Sequence, residues 1–245
     1  MTWIYLSPHL DDAVFSCGGL IWQQAQAGEN VELWTVCAGS PPDGDLPPFA
    51  QSLHDRWGTG AETVALRRAE DERAAEYLGV KLRWFEIPDC IYRRDAQTGK
   101  PLYGSGAAIF GNLHPADGTL LAELNASLAE ELPADANVVA PLTIGNHVDH
   151  QLVRQAADSL ARPLSFYPDF PYIINNEHLI AYRLPHGAKG LNFQLTKEEI
   201  AAWQAGVACY GSQLSTFWTG EADMRQAIEA YAGQSGGLQL WQRDG

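Results

Sequence analysis

The chain has 245 residues, enough for one large domain whose core needs no disulfide or structural metal. Hydrophobic residues make up 46% and charged residues 19%, the balance of an ordinary globular protein, and no apolar run is long enough to cross a bilayer. A net charge of −14 excludes broad binding to nucleic-acid backbones or anionic membranes, which repel an acidic surface.

TWIYLS reads as a first strand. A helix from Asp12 to about Ala27 follows, with Gly28 suited to its carboxyl cap. VELWTVC is a second strand. A Pro/Gly-rich loop from about Gly39 to Gly60 then leads to the helix AETVALRRAEDERAAEYLG, where Val64, Leu66, Ala74, Ala75 and Leu78 mark a half-buried face. KLRWFEI is a third strand, and the stretch from Pro88 to about Gly118 is irregular. GTLLAELNASLAEEL reads as a helix, NVVAPLTI as a fourth strand, HVDHQLVRQAADSLA as a helix and PLSFYPDF as a fifth strand. HLIAYRL and GLNFQL look like antiparallel strands. TKEEIAAWQAGVACYGSQL looks like one helix opened by a Thr196–Glu199 capping box.

Strand–helix alternation at this spacing predicts an α/β fold. Its sheet is mostly parallel, Rossmann-like and flanked by helices, with a smaller antiparallel and helical carboxyl-terminal part. No linker divides the chain, so residues 1–245 are expected to form a single domain. Cys17, Cys37, Cys90 and Cys209 are scattered with no CxxC pair, as buried reduced thiols would be. The amino terminus enters a strand directly, without a basic region and an apolar run, so the cytoplasm is the expected location. Homo-oligomerisation is left open by the sequence.

Two polar stretches occupy equivalent places. PHLDD follows the first strand and GNHVDH the fourth, and a parallel sheet forms its sites beyond such strand ends. An aspartate at a helix start is commonly just an N-cap. That accounts for one carboxylate, but not for two plus a histidine. His9, Asp12 and one histidine of the second motif would supply two imidazoles and a carboxylate. This is the donor set of hydrolytic zinc sites, with a fourth position open. His147 and His150 are three apart, so by spacing either could face the ion.

PHLDD with HVDH far downstream resembles the zinc-dependent PIG-L/LmbE-like deacetylases, which remove N-acetyl groups from glucosamine-type substrates. LRRAEDERAAEYLGV resembles the RxxE helix of that family, with Arg67 and Glu70 in its two places. FYPDFPY and CYGSQL resemble further stretches of bacterial members. Two positions depart from the pattern: Ala13 stands where the family commonly has Glu, and Val148 replaces the Pro of HPDH.

The resemblance implies a small amino-sugar conjugate as substrate and His9, Asp12 and His150 as ligands of a Zn2+ ion, although such a set also takes other divalent ions. It leaves Asp11 free as general base. It makes His147, in its protonated form, the partner of the developing oxyanion, with Asp149 orienting it and keeping it charged. Either Asp11 or His147 would protonate the leaving amine. Arg67, Asp89 and Arg93 are candidate substrate contacts, against plainer readings as a salt bridge of Arg67 to Glu70 or Asp71 and as a turn residue at Asp89. Gly18 and Gly19 inside the first helix point to close packing of that helix on the sheet. His54, His114, His178 and His186 are expected in loops or at the surface.

Overall fold

The computed structural model describes residues 1–244; Gly245 lies outside the described residues. Strand β1 (Thr2–Ser7) is buried over its last four residues, as befits a central strand covered on both faces. It pairs in parallel with β2 (Asn30–Thr35), from Thr2↔Asn30 to Ser7↔Thr35, and on its other edge with β4 (Asn137–Pro141). Strand β3 (Lys81–Trp84) extends the sheet beyond β2, and β5 (Leu164–Tyr167) extends it beyond β4, both in parallel. Two antiparallel strands, β7 (Leu238–Arg243) and then β6 (Lys189–Phe193), complete the order β3-β2-β1-β4-β5-β7-β6. The chain runs from β1 to β2 on one side, while β4 lies on the other. The crevice therefore opens at the carboxyl ends of β1 and β4, where both motifs begin.

Helices α1 (Asp12–Gln26), α3 (Thr63–Leu78) and α8 (Lys197–Ala208) pack together, and α5 (Gly118–Glu131) pairs with α6 (Val148–Asp158). The glycines of α1 do mark close packing, but against a helix rather than the sheet. A Cβ on Gly18 would lie 2.6 Å from Trp203 Cδ1, and one on Gly19 would lie 2.9 Å from Leu195 Cδ1. Trp203 is fully buried, and its indole N–H reaches the carbonyls of Val14 and Phe15, both at 3.0 Å.

Several expected elements differ. The 39–60 loop contains α2 (Pro48–Trp57), started by a proline in its first turn and ended by Gly58 at φ 67°. A short helix α4 (Gly106–Ile109) sits in the irregular stretch. HLIAYRL is no strand but a 3₁₀ turn (Glu177–Leu179) running into α7 (Ile180–Arg183). An antiparallel strand not expected from the sequence, LQLWQR, lies beside β5. The capping box at Thr196 is formed, but its helix stops at Ala208 and α9 (Gly211–Phe217) follows separately; α10 (Glu221–Ser235) then leads to β7.

His114, His178 and His186 are exposed, whereas His54 is buried in α2, its Nε2 2.6 Å from the Tyr92 hydroxyl. Cys17, Cys37 and Cys90 are buried and free. No helix of the described residues is long and apolar enough to cross a membrane.

Gly18→Ala is expected to destabilise the protein by about 1–3 kcal/mol through overpacking against Trp203, despite a helix-propensity gain of about 1 kcal/mol. Urea denaturation of both proteins checks it, and unchanged or raised stability would contradict the packing argument.

Candidate active site

At the end of β1 the Ser7 hydroxyl donates to the His9 carbonyl (2.6 Å) and accepts from the Ala13 N–H (3.0 Å), which fixes the turn into α1. Neither paired carboxylate caps that helix. Asp11 occupies the N-cap position without a side-chain cap bond. Asp12 Oδ2 instead accepts from the His9 backbone N–H at 2.8 Å.

The second motif is delivered by a tight loop after β4. Thr143 and Asn146 both take φ 66°, a left-handed conformation uncommon for residues other than glycine. Between them Gly145 has φ 90°, and a Cβ there would meet the Tyr172 ring at 2.8 Å. Asn146 fastens the loop through Phe110 O (3.0 Å) and Gly111 O (2.7 Å). His147 is then the N-cap of α6, its Nδ1 accepting from the Asp149 N–H at 3.2 Å. Asp149 and His150 occupy the first turn.

The two motifs meet. His9 Nδ1 lies 3.0 Å and His150 Nε2 3.3 Å from the same oxygen, Asp12 Oδ2. Donors around a tetrahedral ion with bonds of about 2.0–2.1 Å lie about 3.3–3.4 Å apart, and these two separations are close to that spacing. The outer nitrogen of each imidazole faces a carboxylate: His9 Nε2 is 3.0 Å from Asp149 Oδ2, and His150 Nδ1 is 2.5 Å from Asp169 Oδ1. Carboxylate–histidine pairs of this kind orient metal-ligating rings. His9, His147 and His150 also bring three ring nitrogens within reach of a single ion, and His9, Asp11 and Asp12 form another such group. Cys90 lies within reach of His147 and Asp149, but burial holds its thiol protonated.

Burial pushes Asp12 up, but the imidazoles of His150 and His9 outweigh it and hold the carboxyl well below its usual range. Burial likewise raises Asp149, and the Arg93 guanidinium together with His9 and His147 more than reverses it. Asp11 is the exception. Burial raises it, Arg67 offsets this only in part and the neighbouring Asp12 adds to it, so its pKa is pushed up to about 6. The two histidines of the second motif separate. Burial lowers both, but Asp12 and Asp169 carry His150 to about 10, while proximity to His9 drives His147 further below the ordinary range.

Arg67 points into the site rather than to its own helix. Its Nη2 is 3.4 Å from Asp11 Oδ1, its Nη1 4.0 Å from Asp89 Oδ2, and its guanidinium lies over the Trp57 ring. Asp89 plays its turn role, with Oδ1 accepting from the Ile91 N–H at 3.1 Å, and it also lines the cavity. Arg93 lies behind the cavity, paired with Asp149 and 3.5 Å from Asp117. The expected carboxylate contact of Asp149 with His147 is not formed among the described residues. Asp149 is taken by Arg93, by His9 and by the Cys90 N–H at 2.9 Å.

The cavity measures about 400 Å³. His9, Asp11, Asp12 and His147 form its floor, while Phe49, Leu53 and Trp57 of α2, Phe110 and Phe217 form apolar walls. Asp169 was not singled out from the sequence, though its place just after β5 puts it in the same layer as the two motifs. Trp57, Phe110 and Phe217 carry no sequence signal of their own and are gathered by the fold, while Gln213 lies in the CYGSQL stretch.

Residues 4–161 match the PIG-L family, described as GlcNAc-PI de-N-acetylase. The chain belongs to the PIG-L family. The matched stretch includes both motifs, Arg67, Asp89 and Arg93, while Asp169 and the α9 wall lie beyond it. This PIG-L chain is 29% identical over 186 residues to 2'-N-acetylparomamine deacetylase of Niallia circulans, a match covering 69% of the chain and 66% of that relative. It thus spans just under two thirds of the length of the curated relatives it matches. Among solved structures, the zinc-inhibited form of teicoplanin deacetylase is similar with a TM-score of 0.83 and 28% identity, covering 100% of this chain and 99% of that one. The deacetylase of the A40926 pseudoaglycone gives 0.73 and 26%, covering 98% and 96%.

A carboxyl raised from its ordinary value to about 6 contributes stability below that ordinary value and loses it as pH rises through 6. Asp11→Asn removes this loss. With chelator present, the variant is expected to melt above the wild type at pH 8, the gain shrinking as pH falls towards 4. A gain equal at both pH values would show that Asp11 is not raised.

Proposed function

We propose that this PIG-L chain is a metal-dependent hydrolase that removes an N-acetyl group from an amino-sugar conjugate. The observation that carries the reading is Asp11. It is a buried carboxylate that does not cap the helix and that we leave outside the ligand set assigned to His9, Asp12 and His150, and it stands at the floor of a cavity with a pKa raised to about 6. The relatives named as deacetylases of acetylparomamine, teicoplanin and the A40926 pseudoaglycone support an amino-sugar conjugate as substrate. The apolar walls support a conjugate whose non-sugar part is apolar.

The ion we assign to the set is zinc or another divalent metal, whose Lewis acidity would activate water and polarise the amide carbonyl. Asp11 takes the proton of the attacking water, and a pKa near neutrality suits that exchange. Protonated Asp11 then returns it to the leaving amine. His147 is a poor acid here because it is held neutral. With Nδ1 accepting from the Asp149 N–H, its proton sits on Nε2, which offers a neutral donor to the oxygen that gains charge. Asp149 and Arg93 act from behind by holding the His9 ring. Arg67 and Asp89 face the sugar.

Acetate release from N-acetylglucosaminides tests the reading. Asp11→Asn is expected to lose about 10²–10⁴-fold in kcat with metal content unchanged, and His147→Ala about 10²–10³-fold. Wild-type kcat/KM is expected to fall as pH drops below about 6, because the base is then protonated. No release by metal-loaded wild type from any amino-sugar conjugate would overturn the proposal. Asp169→Asn, which loosens the hold on His150, is expected to weaken metal binding about 10–100-fold, measured by competition with a chromophoric chelator. Unchanged affinity would remove His150 from the ligand set.

A further inference from the structure

We infer that Glu70 is a positioning residue that fixes the α9 wall of the cavity, so that one turn of α3 both faces the substrate and sets the wall opposite. The inference rests on the proposed hydrolase site. Arg67 and Glu70 are three residues apart on α3 and both buried, yet they turn to different partners. Arg67 faces Asp11 and the cavity. Glu70 reaches the corner between α8 and α9, where Oε1 accepts from the Ser212 N–H at 2.8 Å and Oε2 from its hydroxyl at 2.6 Å. The next residue repeats the hold: Asp71 accepts from the Tyr210 hydroxyl at 2.6 Å and from the Trp84 indole at 2.8 Å.

Helix α9 needs such a hold. It has seven residues, too few for a stable isolated helix, and no side chain of its own N-cap residue bonds its first turn. It nevertheless presents Gln213, Thr216 and Phe217 to the cavity. Gln213 is itself tied in, donating from Nε2 to the Ser212 hydroxyl at 2.9 Å. The two stretches LRRAED and CYGSQL are therefore halves of one clasp. The wall it holds faces whatever extends from the sugar, so the clasp governs recognition of that group rather than the bond-breaking step.

The test combines amide hydrogen exchange with kinetics on N-acetylglucosamine and an aryl N-acetylglucosaminide. Glu70→Ala is expected to speed exchange of the 212–217 amides about tenfold or more, with the sheet amides unchanged. It is expected to raise KM for the aryl conjugate about tenfold and to leave kcat within about twofold. Glu70→Gln, which keeps an acceptor for the Ser212 N–H, is expected to restore most of both. If Glu70→Ala does not fold, Ser212→Ala, which removes one of the two bonds, carries the same test with smaller effects. Wild-type exchange rates over 212–217 in the Ala variants, or a fall in kcat with KM unchanged, would overturn the inference. Failure of the wild type to hydrolyse either sugar would instead overturn the proposed function, and the exchange result would still decide the clasp.

Discussion

Four carboxylates are brought into the space beyond β1, β4 and β5, and a buried carboxylate is costly unless its oxygens are matched. Asp12 is matched by the His9 N–H and two imidazoles, Asp149 by Arg93, His9 and the Cys90 N–H, and Asp169 by His150 and the Ile144 N–H. Asp11 has only Arg67 at 3.4 Å among the described residues. That inequality organises the site. Asp12 and Asp149 are held well below the usual carboxylate range, Asp169 is raised by burial despite its two partners, and Asp11, the least matched, is pushed up to about 6. An acid–base group needs this separation, and the balance of burial against nearby positive charge produces it without any difference in residue type.

The matching partners come from far along the chain. Arg93 and Cys90 belong to the turn after β3, Asp169 to the segment after β5, and Arg67 to α3. Each reaches the site because the parallel sheet sends its strand ends to one side, with the crevice where the strand order reverses. The sheet supplies the floor in this way. The walls have a different origin, since α2, α4 and α9 are short helices set in connections, held by contacts such as His54–Tyr92 and Glu70–Ser212.

The floor was legible in the sequence and the walls were not. HLDD and HVDH can be read because each couples strong polarity to a strand-to-helix junction, and junctions of parallel strands converge. Asp169 had the same placement but a single polar residue, indistinguishable from a turn aspartate until His150 is seen beside it. The RxxE arginine was legible as a candidate, but its glutamate takes meaning only from Ser212, 142 residues away. HLIAYRL has the apolar content of a strand yet is helical over Ile180–Arg183, and the antiparallel partner of β5 is LQLWQR. Local pattern does not record pairing with a distant segment.

The choice between His147 and His150, open at three-residue spacing, turns on what surrounds each ring. Both are deeply buried on the first turn of α6 or at its cap, so desolvation acts on both alike. His150 stands between Asp12 and Asp169, which favour positive charge at its position, and its Nε2 faces the oxygen shared with His9. His147 has the other two imidazoles as neighbours, with ring centroids 4.9 and 5.4 Å away, and its Nδ1 is occupied by a backbone N–H. A cation beside Asp12 would stand in for the positive charge that His150 now attracts. The same cation would hold His147 more firmly neutral. The proposed division of labour, His150 as ligand and His147 as neutral donor, is supported by this contrast: Asp12 and Asp169 outweigh burial at His150, whereas at His147 burial and the His9 imidazole outweigh the nearby Asp149.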